Sequence, residues 1–334
     1  MDKKIGVVRF HELGGVEALQ IDKLDAPKPK GTEVFLKVEA FALNQADILT
    51  TMGYHYIQPE LPSSLGSEAS GTVVAIGDKV TKFKVGDKVT AVPHYNETFY
   101  PTQGDHCLML EQYLTPIPEG YSFEQATSFW MQFLTAYYAL FDMGNVKTGD
   151  YVLIAAASSS AGQGGLKLAK DAGATVIATT RSENKRQFLH DIGADYVINT
   201  ATEDITKKIL EYTNGNGINF SYDPIGGPFT ASYLDALGYG CTIAIYGLLS
   251  GASTELDILR LLRKNSQMQV YSLINYACDA DKLIRGQEYI LERINKGALV
   301  PIIDKVFPFE QTVEAYQYML SGKQKGKIVV KIEH

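Results

Sequence analysis

A chain of 334 residues exceeds what one simple core usually holds, so we expect two domains. Its apolar share of 45% and charged share of 21% are typical of a globular protein, and its formal net charge of −7 argues against a nucleic-acid or membrane-surface partner. No run approaches the ~20 apolar residues of a membrane helix, and the N-terminus lacks signal-peptide features. We therefore expect a cytoplasmic protein with no membrane partner.

The three cysteines, Cys107, Cys241 and Cys278, are widely spaced. An odd number at such spacing argues against a disulfide framework and fits a reducing compartment. No pair has the close spacing of a zinc knuckle.

The first part of the chain has the pattern of short strands separated by turns. Val34–Ala40 and Gly86–Val92 alternate with a period of two residues, and Gly/Pro clusters lie between such runs. This pattern predicts a compact β-barrel or sandwich.

From residue 122 the pattern becomes one of alternating helices and strands. Ser122 and Gln125 form a capping box, which predicts a helix running to about Phe141. Strands are then predicted at 151–157, 175–180, 196–198, 220–222 and 241–246, with helices at 166–171 and 183–192. Such alternation predicts a doubly wound α/β fold.

The last part of the chain completes both domains. Gln269–Ile274 is predicted as a further strand of the doubly wound sheet, and Lys282–Lys296 as a long helix. The tail Lys327–Ile332 alternates again, so we expect it to return to the first domain.

A loop of small residues follows the first predicted strand of the α/β region. A dinucleotide diphosphate needs main-chain N–H groups at a helix N-terminus and no bulky side chain in the way. Where the usual motif has three glycines, this chain has Ala157, Ser159 and Gly162. The strand–loop–helix context predicts a diphosphate site formed by Ser158, Ser159, Ser160, Ala161 and Gly162. A serine-rich helix cap without a ligand is the alternative.

The residues after the next strand bear on which nucleotide binds. An acidic residue there would hold the ribose hydroxyls of NAD, but this chain has Thr180, Arg181 and Ser182, with Lys185 one turn on. These side chains favour a 2′-phosphate, so we predict NADPH as the cofactor. Alternatively, Arg181 and Lys185 are solvated charges at the start of a helix.

Seven landmarks in the same order resemble one family, the medium-chain dehydrogenase/reductases, in their quinone oxidoreductase (zeta-crystallin-like) branch. Besides the serine-rich loop they are Asn44–Asp47, Leu61–Gly71, Val85–Val89, Leu134–Tyr137, Asp223–Gly227 and Gly326–Val329. The resemblance implies a GroES-like β-barrel catalytic domain at residues 1–121, completed by 275–334, and a Rossmann NADPH-binding domain at 122–274. It also implies an active-site cleft between the domains and a homodimer.

The resemblance further implies that the zinc sites of the family's alcohol dehydrogenases are lost. Asn44 replaces a cysteine ligand and Ser67 replaces a histidine ligand. A neutral amide and a hydroxyl bind zinc poorly, so we expect no metal. The segment His94–Glu97 with Asp105–Cys107 is interpreted as a surface loop, the alternative being a separate metal cluster.

Without zinc, acceptors that delocalise negative charge are favoured, which predicts a quinone or an α,β-unsaturated carbonyl as substrate. The resemblance places Asn44 beside the nicotinamide as a hydrogen-bond donor; the alternative is a turn-stabilising amide. Many relatives carry a tyrosine where this chain has Leu49, so we predict Tyr54 as the proton donor, the alternative being an aromatic wall residue.

The remaining cofactor contacts follow from the resemblance by position. They are Thr135, Thr200, Tyr246, Gly247, Ser272 and Leu273. Two other functions stay open at this point, namely a zinc alcohol dehydrogenase and a non-catalytic NADPH-binding redox sensor.

Overall fold

The protein is described by a computed structural model covering residues 4–94 and 100–334. Contacts divide the chain into two compact units. The first unit comprises residues 1–131 with Val300–His334, and the second comprises Gln132–Leu299.

The long helix near residue 290 belongs to the second unit. The sequence instead predicts that the Rossmann domain ends at residue 274. The contacts of the helix give the reason. The Tyr289 ring lies 4.8 Å from that of Tyr137, and Arg293 Nε donates to Asp171 Oδ2 at 2.5 Å.

The first unit begins with short strands and two helices. In chain order they are β1 Lys4–Phe10, β2 Leu19–Asp25, β3 Glu33–Ala42, α1 Gln45–Thr51, β4 Ser63–Ser64, β5 Ala69–Ile76, β6 Lys88–Ala91, β7 His106–Leu110, β8 Leu114–Pro116 and α2 Phe123–Ala126. Helix α3, Trp130–Tyr137, begins at the boundary and continues as a π-helical turn, Tyr138–Met143.

The second unit alternates strands and helices. They are β9 Tyr151–Ile154, α4 Ser160–Asp171, β10 Thr175–Thr180, α5 Arg186–Asp191, β11 Tyr196–Asn199, α6 Ile205–Tyr212, β12 Ile218–Asp223, α7 Gly227–Ser232, β13 Leu237–Ile245, α8 Ile258–Lys264, β14 Gln267–Val270, α9 Leu273–Ala277 and α10 Ala280–Asn295. The chain ends in the first unit with β15 Ile303–Pro308, α11 Thr312–Leu320 and β16 Lys327–Lys331.

The first unit contains a three-stranded sheet, β2-β1-β4, and a seven-stranded sheet in which β16 pairs with β3. The register sets Val330 opposite Phe41, and both side chains are buried. The predicted return of the tail to the first domain is therefore confirmed.

The second unit is built on a six-stranded sheet of order β11-β10-β9-β12-β13-β14, with every neighbouring pair parallel. This is the order 3-2-1-4-5-6 of a doubly wound dinucleotide-binding fold. The predicted doubly wound sheet is confirmed. Within the described ranges, no helix is long and apolar enough to cross a membrane.

Several predicted elements are wrong in extent: the strand 151–157 ends at Ile154, and the helix 166–171 begins at Ser160. The single helix from Ser122 to Phe141 is interrupted after Ala126, because that residue's carbonyl accepts from the Thr90 hydroxyl at 2.9 Å. The predicted strand Gln269–Ile274 ends at Val270, because the Ser272 side chain caps a new helix by accepting from Ile274 N.

Candidate functional site

The serine-rich loop joins β9 to α4 through a tight turn. Ser159 is the N-cap of α4, and its hydroxyl accepts from Gly162 N at 3.1 Å. A Cβ on Gly162 would lie 2.5 Å from the Ala156 carbonyl oxygen and 2.7 Å from Ala157 Cα. Only glycine fits at 162 without moving the main chain, whereas alanine and serine suffice at the other two motif positions.

The loop presents the start of a twelve-residue helix, α4. The first N–H groups of a helix lack intrahelical partners, and the helix dipole adds positive character there. The first turn contains no acidic residue that would repel an anion. The N-terminus of α4 therefore fits a diphosphate.

Of the residues predicted for the 2′-phosphate, Lys185 contacts this loop. Lys185 Nζ donates to Ser158 Oγ at 3.2 Å, so the ammonium group reaches the loop. Ser182 N donates to Thr180 Oγ1 at 3.1 Å, and Thr200 N donates to Thr180 O at 2.8 Å. These contacts bring the ends of β10 and β11 to the same edge of the sheet as the loop.

The two arginines near this position differ in their surroundings. Arg181 is exposed. Arg186 Nη2 lies 2.7 Å from Glu203 Oε2, and its Nε lies 2.6 Å from Glu183 Oε1. Arg186 is thus held in ion pairs with neighbouring glutamates, whereas Arg181 is exposed and Lys185 contacts Ser158 of the loop.

Apart from Thr135, which lies in α3, the remaining predicted cofactor contacts follow the carboxyl ends of the neighbouring strands. Tyr246 and Gly247 follow β13, and a Cβ on Gly247 would lie 2.7 Å from the Pro224 carbonyl oxygen. The Tyr271 hydroxyl donates to the Thr135 carbonyl, which connects the end of β14 to α3. Ser272 and Leu273 follow Tyr271 directly. Ligands of doubly wound sheets bind at this edge.

In the first unit, Asn44 precedes α1 and takes part in a buried polar cluster with Glu68 and Lys327. Lys327 Nζ lies 2.6 Å from Asn44 Oδ1 and 2.6 Å from Glu68 Oε2. Asn44 Nδ2 donates to Glu68 Oε2 at 3.2 Å, and Glu68 Oε1 accepts from Met131 N at 2.7 Å. The exposed fractions are 7% for Asn44, 0% for Glu68 and 1% for Lys327. We call these three residues the amide cluster.

A second buried group underlies the amide cluster. Asp47 Oδ2 accepts from Asn44 N at 2.9 Å, from the Tyr316 hydroxyl at 2.9 Å and from Gln103 Nε2 at 3.2 Å. Burial raises the pKa of Asp47 to about 6, and these hydrogen bonds oppose part of the rise. Asp47 therefore links α1 to α11 and fixes the position of Asn44.

Tyr54 lies at the surface of the first unit, with an exposed fraction of 74%. Among the described residues, no hydrogen bond joins its hydroxyl to Asn44. Its proposed part in proton transfer stays a prediction.

The predicted surface loop is wrong for the residues that the structure describes, because His94 is buried and His106 and Cys107 are buried at the start of β7. Tyr95–Glu97 lie outside the described residues. His94 is buried and stacks on Tyr113, with ring centroids 5.0 Å apart, and burial lowers its pKa to about 4. Over the described parts of the chain, no three side chains of His, Cys, Asp or Glu form a group that could hold a metal.

Comparison with known proteins decides the family. Residues 30–131 match the family described as alcohol dehydrogenase GroES-like domain, and residues 161–285 match zinc-binding dehydrogenase. The quinone oxidoreductase-like protein 2 homolog of Nematostella vectensis is 31% identical over 331 residues, which cover 98% of this chain and 89% of that protein. The chain belongs to the medium-chain dehydrogenase/reductases, in their quinone oxidoreductase (zeta-crystallin-like) branch.

Other relatives of this superfamily differ in size. A phenolphthiocerol/phthiocerol polyketide synthase of Mycobacterium tuberculosis is 29% identical over 97% of this chain, yet the chain spans only 15% of that protein's length. Quinone oxidoreductase of Escherichia coli, solved in complex with NADPH, is 26% identical with a TM-score of 0.89, covering 98% of this chain and 99% of that one. The predicted pairing of a GroES-like domain with a Rossmann-type domain is confirmed.

Some members of this superfamily bind zinc. Whether zinc can bind here depends on the atoms that Asn44, Ser67 and Glu68 offer as ligands. The carbonyl oxygen of Asn44 already accepts from the Lys327 ammonium group, and Glu68 is paired with the same ammonium. Neither a thiolate nor an imidazole is supplied by Asn44 or Ser67. The residues present do not fit a catalytic zinc ion.

Sequence reasoning missed four residues around Asn44. Glu68 and Lys327 were recognised as parts of landmarks, but their pairing joins positions far apart in the chain. A lysine directly before the apolar run Ile328–Val330 was the signal for Lys327. Gln103 and Tyr316 gave no local signal, because only the folded chain brings them to Asp47.

Proposed function

We propose that this chain is a zinc-independent, NADPH-dependent reductase that transfers hydride to a quinone or an α,β-unsaturated carbonyl. The observation that carries the proposal is the turn at Gly162, where a Cβ would meet the main chain 2.5 Å away at the N-terminus of α4. The NADPH bound by the related Escherichia coli enzyme supports the same conclusion.

Different residues of the chain contact different parts of the cofactor. Ser158–Gly162 hold the diphosphate through main-chain N–H groups and hydroxyls, while Arg181, Ser182 and Lys185 hold the 2′-phosphate. Thr180 and Thr200 border the adenosine. Further along the same sheet edge, the nicotinamide contacts are Thr135, Tyr246, Gly247, Ser272 and Leu273. When bound, NADPH supplies the hydride.

The substrate class follows from what can stabilise the negative charge that hydride addition creates. A simple ketone concentrates that charge on one oxygen and depends on a strong electrophile such as zinc. A quinone or an enone spreads the charge, so neutral hydrogen-bond donors suffice. Asn44 supplies such a donor, and the proton comes from Tyr54 or from solvent.

The proposal includes a homodimer and a cytoplasmic location. Strand β14 pairs with β13 on one side and forms an edge of the six-stranded sheet. Val270 on this strand is 78% exposed, and Leu262 on the preceding helix is 70% exposed. Uncovered apolar edges of this kind favour association. Sedimentation equilibrium tests the dimer, and a monomer at micromolar concentration would contradict it.

The direct test is a panel of acceptors assayed under identical conditions with NADPH and with NADH. We expect oxidation of NADPH with quinones or enones, slower oxidation of NADH, and no turnover with simple aldehydes or alcohols. Added zinc and added chelator should leave the rate unchanged. Turnover of simple alcohols that chelators abolish would identify a zinc enzyme instead. Tight NADPH binding without turnover of any acceptor would identify a redox sensor.

A further inference from the structure

Lys327 is a fully buried lysine in a unit whose proposed substrate-facing residue is Asn44. Taking an ammonium group out of water is unfavourable unless it is paired and hydrogen-bonded. Here Nζ lies 2.6 Å from Glu68 Oε2 and 2.6 Å from Asn44 Oδ1. The ion pair provides the compensation, and Asn44, the N-cap residue of α1, supplies a second acceptor for the ammonium group.

The contacts fix which way the Asn44 amide faces. An ammonium group only donates, so the atom that touches Lys327 must be the carbonyl oxygen of Asn44. A carboxylate only accepts, so the atom that touches Glu68 must be Nδ2, which lies 3.2 Å away. Nδ2 carries two hydrogens, and among the described residues the second has no acceptor. The amide is therefore held with one N–H available.

The same contacts change the strength of that N–H as a donor. A positive charge on the carbonyl oxygen draws electron density from the amide nitrogen, and hydrogen bonds in such a chain strengthen one another. Glu68 neutralises the ammonium and is itself held by Met131 N at 2.7 Å. The amide cluster thus offers a polarised donor without a buried net charge.

We propose that Lys327 is a positioning residue that orients and polarises Asn44 toward the acceptor oxygen, with Glu68 as its counter-ion. This inference rests on the proposed function. As hydride adds to the substrate carbon, the electron pair of the carbon–carbon double bond shifts toward the carbonyl carbon, and the π pair of the carbonyl moves to its oxygen. Asn44 Nδ2–H binds the resulting enolate or hydroquinone anion. Tyr54 or solvent protonates the product.

The test compares Lys327→Met and Lys327→Arg with Glu68→Gln. Lys331→Met is the matched control, because Lys331 lies on the same strand but forms an exposed pair with Glu124 at 2.9 Å. Removing an oxyanion donor outright costs about 100- to 1000-fold in kcat. We expect Lys327→Met, which keeps the donor but not its polarisation, to lower kcat by roughly 10- to 100-fold. KM and the Kd for NADPH should change little, Lys327→Arg should recover part of the loss, and the control should match the wild type.

A second readout does not depend on turnover. 4-Nitrophenol bound in the presence of NADP⁺ reports its own ionisation, because the phenolate absorbs visible light and the neutral phenol does not. We expect the pKa of the bound phenol to rise in Lys327→Met and to fall in Glu68→Gln, which leaves the ammonium without its counter-ion. A purely structural role for the pair would move both variants in the same direction.

The outcomes separate this inference from the proposed function. A folded Lys327→Met variant with wild-type kcat and unchanged phenol ionisation would overturn the inference while leaving the reductase intact. Failure of the wild type to reduce any acceptor would overturn the proposed function, and the phenol titration would still decide the role of Lys327. If Lys327→Met does not fold, the phenol titration is carried out with Lys327→Arg and Glu68→Gln. Equal pKa values of the bound phenol in these two variants would overturn the inference.

Discussion

At the scale of single residues, Asp47 shows how the first unit places a carboxyl group where water does not reach it. Its exposed fraction is 2%, and its partners come from α11 and from the segment before β7. Burial raises its pKa to about 6 from an ordinary value of 3.8. Between those two values the folded protein binds more protons than the unfolded chain, so the free energy of unfolding from this group falls as the pH rises.

Replacing Asp47 by asparagine should remove this dependence on pH. The new side-chain amide keeps an acceptor for Asn44 N and the Tyr316 hydroxyl but carries no charge to bury. We expect the free energy of unfolding of Asp47→Asn, relative to wild type, to increase by up to about 3 kcal/mol between pH 4 and pH 6. Urea unfolding at several pH values measures it. A difference that does not change with pH would contradict the raised pKa.

Residue-level prediction from the sequence depends on whether the deciding partner is close in the chain. Lys185 and Ser182 could be named because they follow a predicted strand within a few residues. Lys185 Nζ contacts Ser158 of the loop, and the part of both residues in nucleotide binding stays a prediction. The role of Arg186 needed the structure, because its partner Glu203 comes from the next βα unit. Lys327 and Glu68 could not be paired from the sequence, because β16 meets β3 only in the folded sheet.

At the scale of elements, the turn before α4 makes a direct prediction about one glycine. Gly162→Val would drive a side chain into the Ala156 carbonyl and the Ala157 main chain. We expect the turn to move, the Kd for NADPH to rise by at least ~10-fold, and stability to fall by roughly 1–3 kcal/mol, as overpacking does.

The matched control is Gly14→Ala in the first unit, where an added Cβ meets nothing nearer than the Ala18 Cβ at 4.0 Å. Isothermal titration with NADPH and thermal unfolding measure both variants. Wild-type affinity in Gly162→Val would show that the diphosphate does not lie against this turn.

The predicted ends of helices were wrong where tertiary hydrogen bonds compete with the local sequence pattern. The capping box at Ser122 was correct, with Gln125 N donating to Ser122 Oγ at 3.2 Å. The helix then ended early, because Thr90 takes the Ala126 carbonyl and Glu68 takes the Met131 N–H. Strand β10 was predicted with its observed bounds, because its run of apolar and β-branched residues is flanked by a glycine and a polar turn.

At the scale of the whole molecule, the order of elements carried most of the information. The alternation of strands and helices after residue 150 predicts a doubly wound sheet, and parallel crossovers leave few other topologies. The β-rich pattern before it predicts a second, different domain. What the pattern could not supply was the docking of α10, since an amphipathic helix fits either unit until its partners Tyr137 and Asp171 are known.

The central claim is that NADPH binds at the serine-rich loop and that its 2′-phosphate is held by cations after β10. Isothermal titration of NADPH and NADH against the wild type, Lys185→Met and the control Lys207→Met tests it most directly. We predict that the wild type prefers NADPH, and that Lys185→Met weakens NADPH by roughly 10- to 100-fold, as loss of one charged hydrogen bond would. NADH binding and the Lys207→Met control should stay unchanged. Equal affinities of the wild type for NADPH and NADH would contradict this claim. So would an equal loss of affinity for the two nucleotides in Lys185→Met.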